Sequence, residues 1–161
     1  MRVKDINTTD FVNYKERSMF ISSCFCSWKC CTELGLDIGV CQNAPLSKAP
    51  IKDIPDEEIY ELFMNNKPLT QAVVIGGLEP MIQFNEVIAL IDYFRKNGED
   101  CPFVIYTGYY PNEIPKEIRL LKQYNNIIVK FGRFIPNAKS RYDEVLGVTL
   151  VSDNQYAEKI S

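Results

Sequence analysis

The chain has 161 residues, of which 46% are apolar and 24% charged, and its formal net charge is −3. This apolar content is sufficient for one globular domain with its own core, so disulfide bonds are not needed for stability. The scattered Lys and Arg residues predict no nucleic-acid surface, and no apolar run approaches the roughly 20 residues of a membrane span. We therefore predict a single domain over residues 1–161 that binds neither nucleic acid nor membranes.

Apolar patterning predicts alternating strands and helices along the chain. A short apolar run predicts a first strand over 18–24, directly before a cysteine-rich loop. The predicted elements that follow are a helix over 55–66, a strand over 71–77, a helix over 80–98, a strand over 102–108, a helix over 115–124, a strand over 126–132 and a fifth strand over 144–151. This repeated order indicates parallel strands that are joined by right-handed crossovers.

The predicted fold class is α/β, with the shape of a partial, open parallel β/α barrel. Five strands are too few to close an eight-stranded barrel, so one side remains open to a large partner. Four loops each follow a predicted strand: the cysteine loop, "GGLEP", "YTGYY" and "FGRF". Because the carboxyl ends of parallel strands share one face, we expect these loops to meet there and build the functional site.

Five of the six cysteines lie within residues 24–43, "CFCSWKCCTELGLDIGVCQN". The polar N-terminal segment has no signal-peptide features, which predicts a cytoplasmic protein with reduced thiols rather than disulfide bonds. Zinc sites commonly use four ligands, as C-x2-C pairs or with histidines, and this chain has neither. A [4Fe–4S] cluster that keeps one iron free for a ligand needs only three thiolates. The cysteine pattern therefore favours an iron–sulfur cluster over zinc.

The loop resembles the signature of the radical S-adenosylmethionine (SAM) superfamily, which is C-x3-C-x2-C after the first strand. Within it, the chain is most similar to the activating proteins of anaerobic ribonucleotide reductase. "CSWKC" matches the first half of the signature, and "CQN" matches its end. Five further segments resemble family motifs in the same order: "DFVNYKERSMFISSC", "VVIGGLEPM", "VIYTGYY", "VKFGRFIPN" and "SDNQYAEKI". Five motifs in sequence are a far stronger signal than one.

The chain also departs from this pattern at defined positions. Ten residues, 31–40, separate the second and third cysteines where the signature has two. Leu78 is inserted into the Gly-Gly-Glu-Pro motif, and Lys130 and Phe131 occupy the place of an aspartate region. The inserted loop leaves Cys24 and Cys31 open as alternative cluster ligands.

The resemblance implies a particular set of site residues. The cluster ligands would be Cys26, Cys30 and Cys41, and SAM would bind at the fourth iron through its amino and carboxylate groups. The implied SAM-binding residues are Gly76, Gly77 and Glu79 toward the amino group, Val40 and Asn43 beside the third cysteine, and Tyr106 in the third strand's loop.

The implied activity is reductive cleavage of SAM to a 5′-deoxyadenosyl radical, with an electron from a low-potential donor. The activating proteins pass this radical to a glycine of a partner glycyl-radical enzyme, in a cytoplasm without oxygen. Two alternatives stay open at this point. One is a small radical SAM enzyme acting on a free metabolite, similar to the 7-carboxy-7-deazaguanine synthases. The other is a non-catalytic iron–sulfur or metal-binding domain.

Overall fold

A six-stranded mixed sheet forms the centre of the molecule in the computed structural model, which describes all residues from 1 to 161. The strands are β1 (Arg2–Val3), β2 (Asp5–Asp10), β3 (Ser18–Ser22), β4 (Lys52–Asp53), β5 (Ala72–Gly76), β6 (Phe103–Tyr106), β7 (Ile127–Phe131), β8 (Arg141–Asp143), β9 (Val148–Leu150) and β10 (Tyr156–Lys159). The helices are α1 (Lys29–Thr32), α2 (Ala44–Ser47), α3 (Asp56–Asn66), α4 (Phe84–Lys96) and α5 (Pro115–Leu121). None of these helices combines the length and the apolar character that crossing a bilayer requires.

The strand order in the central sheet is β10-β7-β6-β5-β3-β2. The inner strands β3, β5, β6 and β7 are parallel, and the two outer strands pair with them antiparallel. Helices α3, α4 and α5 each connect one parallel strand to its immediate neighbour. Because right-handed crossovers that advance in one direction all lie on the same side, the three helices share one face of the sheet.

Two separate cores confirm this layering. The larger core, of 21 buried residues, combines the three helices with the strand residues that point toward them, such as Ile75 and Phe103. The smaller core, of 8 buried residues, lies on the opposite face, where strand residues such as Val74 cluster with Tyr14 and Leu146. A hairpin of β8 and β9 covers that face, so the sheet is buried on both sides without a second layer of helices.

The apolar pattern predicted the inner part of the fold correctly. The strands over 18–24, 71–77, 102–108 and 126–132 are confirmed as β3, β5, β6 and β7. The three predicted helices are confirmed as α3, α4 and α5, with a short 3-10 turn at Pro80–Gln83 before α4. The fold is thus mixed α/β, and closure of its sheet into a partial barrel stays a prediction.

The predicted fifth strand over 144–151 is wrong as a member of the central sheet. The Asp143 carboxylate accepts hydrogen bonds from the backbone N–H groups of Val145 and Leu146, which holds a turn there. Gly147 has φ +68°, a left-handed conformation that glycine adopts readily. The chain therefore reverses inside the predicted strand, and β9 pairs with β8, while β10 forms the sheet edge instead.

Candidate iron–sulfur site

A cavity of about 530 Å³ opens at the carboxyl ends of the parallel strands. All four predicted loops contribute to it: the cysteine loop and the segments that follow β5, β6 and β7. The expectation that these loops meet on one face is therefore confirmed. The sequence-predicted residues that line the cavity are Cys26, Cys30, Cys41, Asn43, Gly77, Glu79 and Tyr106.

The three predicted cluster ligands all line this cavity. All three are free and half-buried. Interaction between the Cys30 and Cys41 thiols raises the pKa of Cys30 and lowers the pKa of Cys41 to about 6. Burial raises the pKa of Cys26 to about 11, although the Trp28 backbone N–H donates to its Sγ at 3.3 Å.

Backbone N–H groups also lie beside Cys41: those of Asn43 and Ala44 contribute to lowering its pKa, and the Ala44 N–H donates to the Cys41 carbonyl at 2.9 Å. Such N–H donors favour the thiolate form, which is the form that binds iron. No three or more Cys, Asp or Glu side chains are placed closely enough to hold a single metal ion. The three thiols instead face a shared cavity, and this donor set fits a polynuclear iron–sulfur cluster, which is larger than one ion.

The alternative ligands occupy different positions. Cys24 is buried outside the cavity lining, and its backbone N–H donates to the Gln83 side chain at 2.7 Å. Cys31 is only 1% exposed and does not line the cavity, although its Sγ lies 3.8 Å from the Cys30 Sγ. Of the five clustered cysteines, the cavity is therefore lined by Cys26, Cys30 and Cys41.

Among the predicted SAM-binding residues, Asn43 and Gly77 line the cavity, whereas Gly76 and Val40 do not. Asn43 donates to the Gly77 carbonyl at 2.5 Å, which connects the cysteine loop to the loop after β5. The Gly76 carbonyl accepts from the backbone and hydroxyl of Ser23, and Gly76 does not line the cavity. Val40 is 41% exposed on a short 3-10 turn and also lies outside the lining.

Three hydrogen bonds hold the side chain of Glu79 in place. Its carboxylate accepts hydrogen bonds from the Thr107 hydroxyl at 2.7 Å and from the backbone N–H groups of Gly108 at 2.8 Å and Met81 at 3.1 Å. Burial raises the pKa of Glu79, and these three donors oppose that change. A carboxylate offers about four acceptor positions, so one remains for a ligand in the cavity.

Tyr106 also combines a cavity position with an internal contact. Its hydroxyl donates to the Asn13 carbonyl at 2.5 Å, and burial raises the pKa of the phenol. This bond holds the segment after β2 against β6, so the ring forms a fixed wall of the cavity.

Arg133 holds the cysteine loop against the rest of the site. Its guanidinium donates to Glu113 at 2.6 and 2.8 Å and to Glu33, in the inserted part of the loop, at 2.9 Å. Lys29, which precedes Cys30, contacts the same Glu113 carboxylate at 3.1 Å. Residues on both sides of Cys30 are thereby connected by ion pairs to the segments after β6 and β7.

Lys130 lies in the cavity wall, and the sequence alone did not identify its role. Lys130 is 6% exposed and is the fourth of the five residues of β7, where the other strand residues are apolar. A lysine within an otherwise apolar strand was the only available signal. In the resemblance to the activating proteins, Lys130 is a departure from the family pattern and was not predicted to be a site residue.

The fold and the site together define an α/β domain with a cysteine-lined cavity of the iron–sulfur type. The sequence matches the 4Fe-4S single cluster domain family over residues 17–155. Because the match covers most of the chain, the chain belongs to this family and is a 4Fe–4S cluster-binding domain. No curated protein and no solved structure matches the chain.

Proposed function

We propose that this protein is a radical SAM enzyme that generates a glycyl radical on a partner protein such as anaerobic ribonucleotide reductase. The observation that carries the proposal is the convergence of Cys26, Cys30 and Cys41 on one cavity in a 4Fe–4S domain. Three ligands leave one iron for SAM. The cavity beside them has the volume of an ordinary small-molecule site.

Cys26, Cys30 and Cys41 would hold the cluster, which would supply one electron for reductive cleavage of the SAM C5′–S bond to methionine and a 5′-deoxyadenosyl radical. The electron would come from a low-potential donor, and the radical would take a hydrogen atom from a glycine Cα of the partner to give 5′-deoxyadenosine. The chain's own residues bind and orient SAM. Glu79 has one free acceptor position for the amino group, and Asn43 holds the cysteine loop against Gly77.

The exposed surface of the inserted loop favours a protein as the partner. Residues 32–40 are exposed, and their aliphatic side chains face solvent next to the thiol-bearing part of the loop. The exposed aliphatic residues are Leu34, Leu36, Ile38 and Val40. A partner that docks there would bring its glycine to the cavity and exclude water from the cluster, while an anaerobic cytoplasm would keep oxygen away from it.

A second candidate is a radical SAM enzyme for a free metabolite, of the 7-carboxy-7-deazaguanine synthase kind. The specific observation in its favour is that the cavity extends from the thiols to Val148–Val151 on the β8–β9 side. This extension is lined by the chain itself and offers room beyond the thiol end.

The deciding experiment is anaerobic reconstitution with iron and sulfide, followed by addition of SAM and dithionite. We expect about four irons per chain and formation of 5′-deoxyadenosine. The Cys30→Ala variant should lose both the bound iron and the formation of 5′-deoxyadenosine. The Cys24→Ala variant should retain both, because Cys24 is buried outside the cavity. A cluster without 5′-deoxyadenosine would overturn the radical SAM proposal and favour a non-catalytic iron–sulfur domain.

A second measurement distinguishes a protein substrate from a free metabolite. With anaerobic ribonucleotide reductase present, the first candidate predicts an EPR doublet from a glycyl radical. Turnover of SAM with no such signal on the reductase would exclude that partner and favour the free metabolite.

A further inference from the structure

Lys130 is a buried cation in the cavity wall that forms no ion pair. It belongs to β7, whose five residues are all buried, and its side chain faces the same cavity as the three thiols. Among the residues that line this cavity, Lys130 is the only cation and Glu79 the only carboxylate.

The ammonium group of Lys130 uses little of its donor capacity. Its Nζ donates to the Gly132 carbonyl at 2.9 Å, while an ammonium carries three N–H donors. None of the ion pairs of the molecule includes Lys130. Lys4 is equally buried but lies outside the cavity, and its Nζ donates to the carbonyls of Ser47 and Ala49.

Glu79 does not supply the missing partner. Its carboxylate is held by Thr107, Gly108 and Met81, and no Glu79 oxygen lies within ion-pair distance of Lys130. Burial lowers the pKa of Lys130 to about 8, and the negative charge of Glu79 opposes this change from beyond ion-pair distance. A cation in such a place is costly unless an anion accompanies it. The spare N–H donors, the cavity and the missing counter-ion therefore point to an anionic ligand.

We propose that Lys130 is the anchor for a carboxylate group of the molecule that fills the cavity. A carboxylate is the common anion of amino-acid-derived ligands, and it accepts charge-assisted hydrogen bonds from an ammonium. Two sources are possible: the carboxylate of SAM itself, which rests on the proposed function, or that of a separate acid bound beside it. The assignment of Lys130 to a carboxylate is the same in both cases.

The test compares the reconstituted wild-type protein with Lys130→Met by equilibrium dialysis without oxygen. The probes are SAM and S-adenosyl-3-methylthiopropylamine, which is SAM without its carboxylate. If SAM is the source, the variant binds SAM about tenfold more weakly or worse, and both proteins bind the decarboxylated probe alike. Lys159→Met, the same change at an exposed position of the neighbouring β10, should leave both affinities unchanged.

A second titration addresses the separate acid. Acetate is added in a calorimeter to the SAM-treated proteins, and binding to wild type but not to Lys130→Met supports the proposal with a separate acid as the source. Equal behaviour of wild type and variant toward SAM and toward acetate overturns it. If wild type binds no SAM, the proposed function fails, while the acetate titration still decides the role of Lys130.

A measurement on wild type alone covers the case in which Lys130→Met does not fold. Acylation of Lys130 by an amine reagent is followed by mass spectrometry. SAM or acetate should slow acylation at Lys130 and not at Lys159. If neither probe slows it, the anchor role is wrong.

Discussion

Glu79 illustrates how one side chain organises this site. Its carboxylate belongs to the loop after β5, and two of its three hydrogen-bond donors, Thr107 and Gly108, belong to the loop after β6. The third donor, the Met81 N–H, belongs to the first turn before α4. Glu79 therefore fixes two cavity loops to one another, whatever it contributes to ligand binding.

Glu79→Gln should destabilise the folded protein by about 2 kcal/mol. The amide replaces one acceptor oxygen by an NH2 group, so one buried donor, such as the Gly108 N–H, faces another donor. Urea unfolding followed by circular dichroism measures the change. Glu58→Gln, on the exposed side of α3, should stay within about 0.5 kcal/mol of wild type. Equal effects of the two substitutions would contradict this role.

At the scale of elements, the cysteine loop is held by long-range ion pairs rather than by its own secondary structure. The loop contains only the four-residue helices α1 and α2 and a short 3-10 turn. Arg133 contacts Glu33 and Glu113, and its side chain is 11% exposed, so this network is better shielded from water than an ordinary surface pair. The network keeps Cys30 in the cavity wall.

Glu33→Gln should loosen this loop without unfolding the protein. Loss of one ion pair worth up to about 1 kcal/mol raises the population of open loop by about threefold to fivefold. Limited chymotrypsin digestion measures this change, because Leu34 and Leu36 are exposed cleavage positions. Glu57→Gln, which removes an exposed carboxylate of α3 outside any ion pair, should leave the digestion rate unchanged. A rate for Glu33→Gln equal to wild type would show that Arg133 does not hold the loop.

The same network makes stability depend on acidic pH. The hydrogen bond from Arg133 lowers the pKa of Glu113 from its usual 4.5 to about 2. A depressed pKa in the folded state stabilises the protein above the unfolded-state pKa, and this contribution is lost as the pH falls toward 2. Wild type should therefore exceed Glu113→Gln in free energy of unfolding by about 1 kcal/mol at neutral pH, and by almost nothing near pH 2.

Urea unfolding at several pH values gives this difference. Glu144→Gln, at an exposed carboxylate outside the ion-pair network, provides the control and should follow wild type at every pH. A Glu113→Gln difference that does not change between neutral pH and pH 2 would disprove the assignment.

At the scale of the whole molecule, stability depends on the single layer of helices on one face of the sheet. Phe94 of α4 is fully buried at the centre of this layer and makes edge-to-face contacts with Tyr60, Phe63 and Phe103. Phe94→Ala should lower the free energy of unfolding by about 3–5 kcal/mol, because it leaves a large cavity in the core. Leu120→Ala, at a 43% exposed position of α5, should cost less than about 1 kcal/mol in the same urea titration.

The sequence by itself determined the inner strands, the three main helices and the position of the site. Each of these follows from local spacing, since apolar residues at helical or strand periods define their own elements. The site follows from topology, because loops after parallel strands meet at one edge. Cys26 and Cys30 could be chosen because their spacing matches the first half of a family signature, and Cys41 because "CQN" matches its end, although ten residues separate Cys30 from Cys41.

Only the tertiary structure decided the edges of the sheet and the polar contacts of the cavity. The polar strand β2 has no apolar pattern and forms by pairing with β3. Arg133 and Glu33 are 100 positions apart in sequence, and Lys130 differs from a surface lysine only by what packs around it. Such features depend on which distant residues become neighbours, and no local pattern records that.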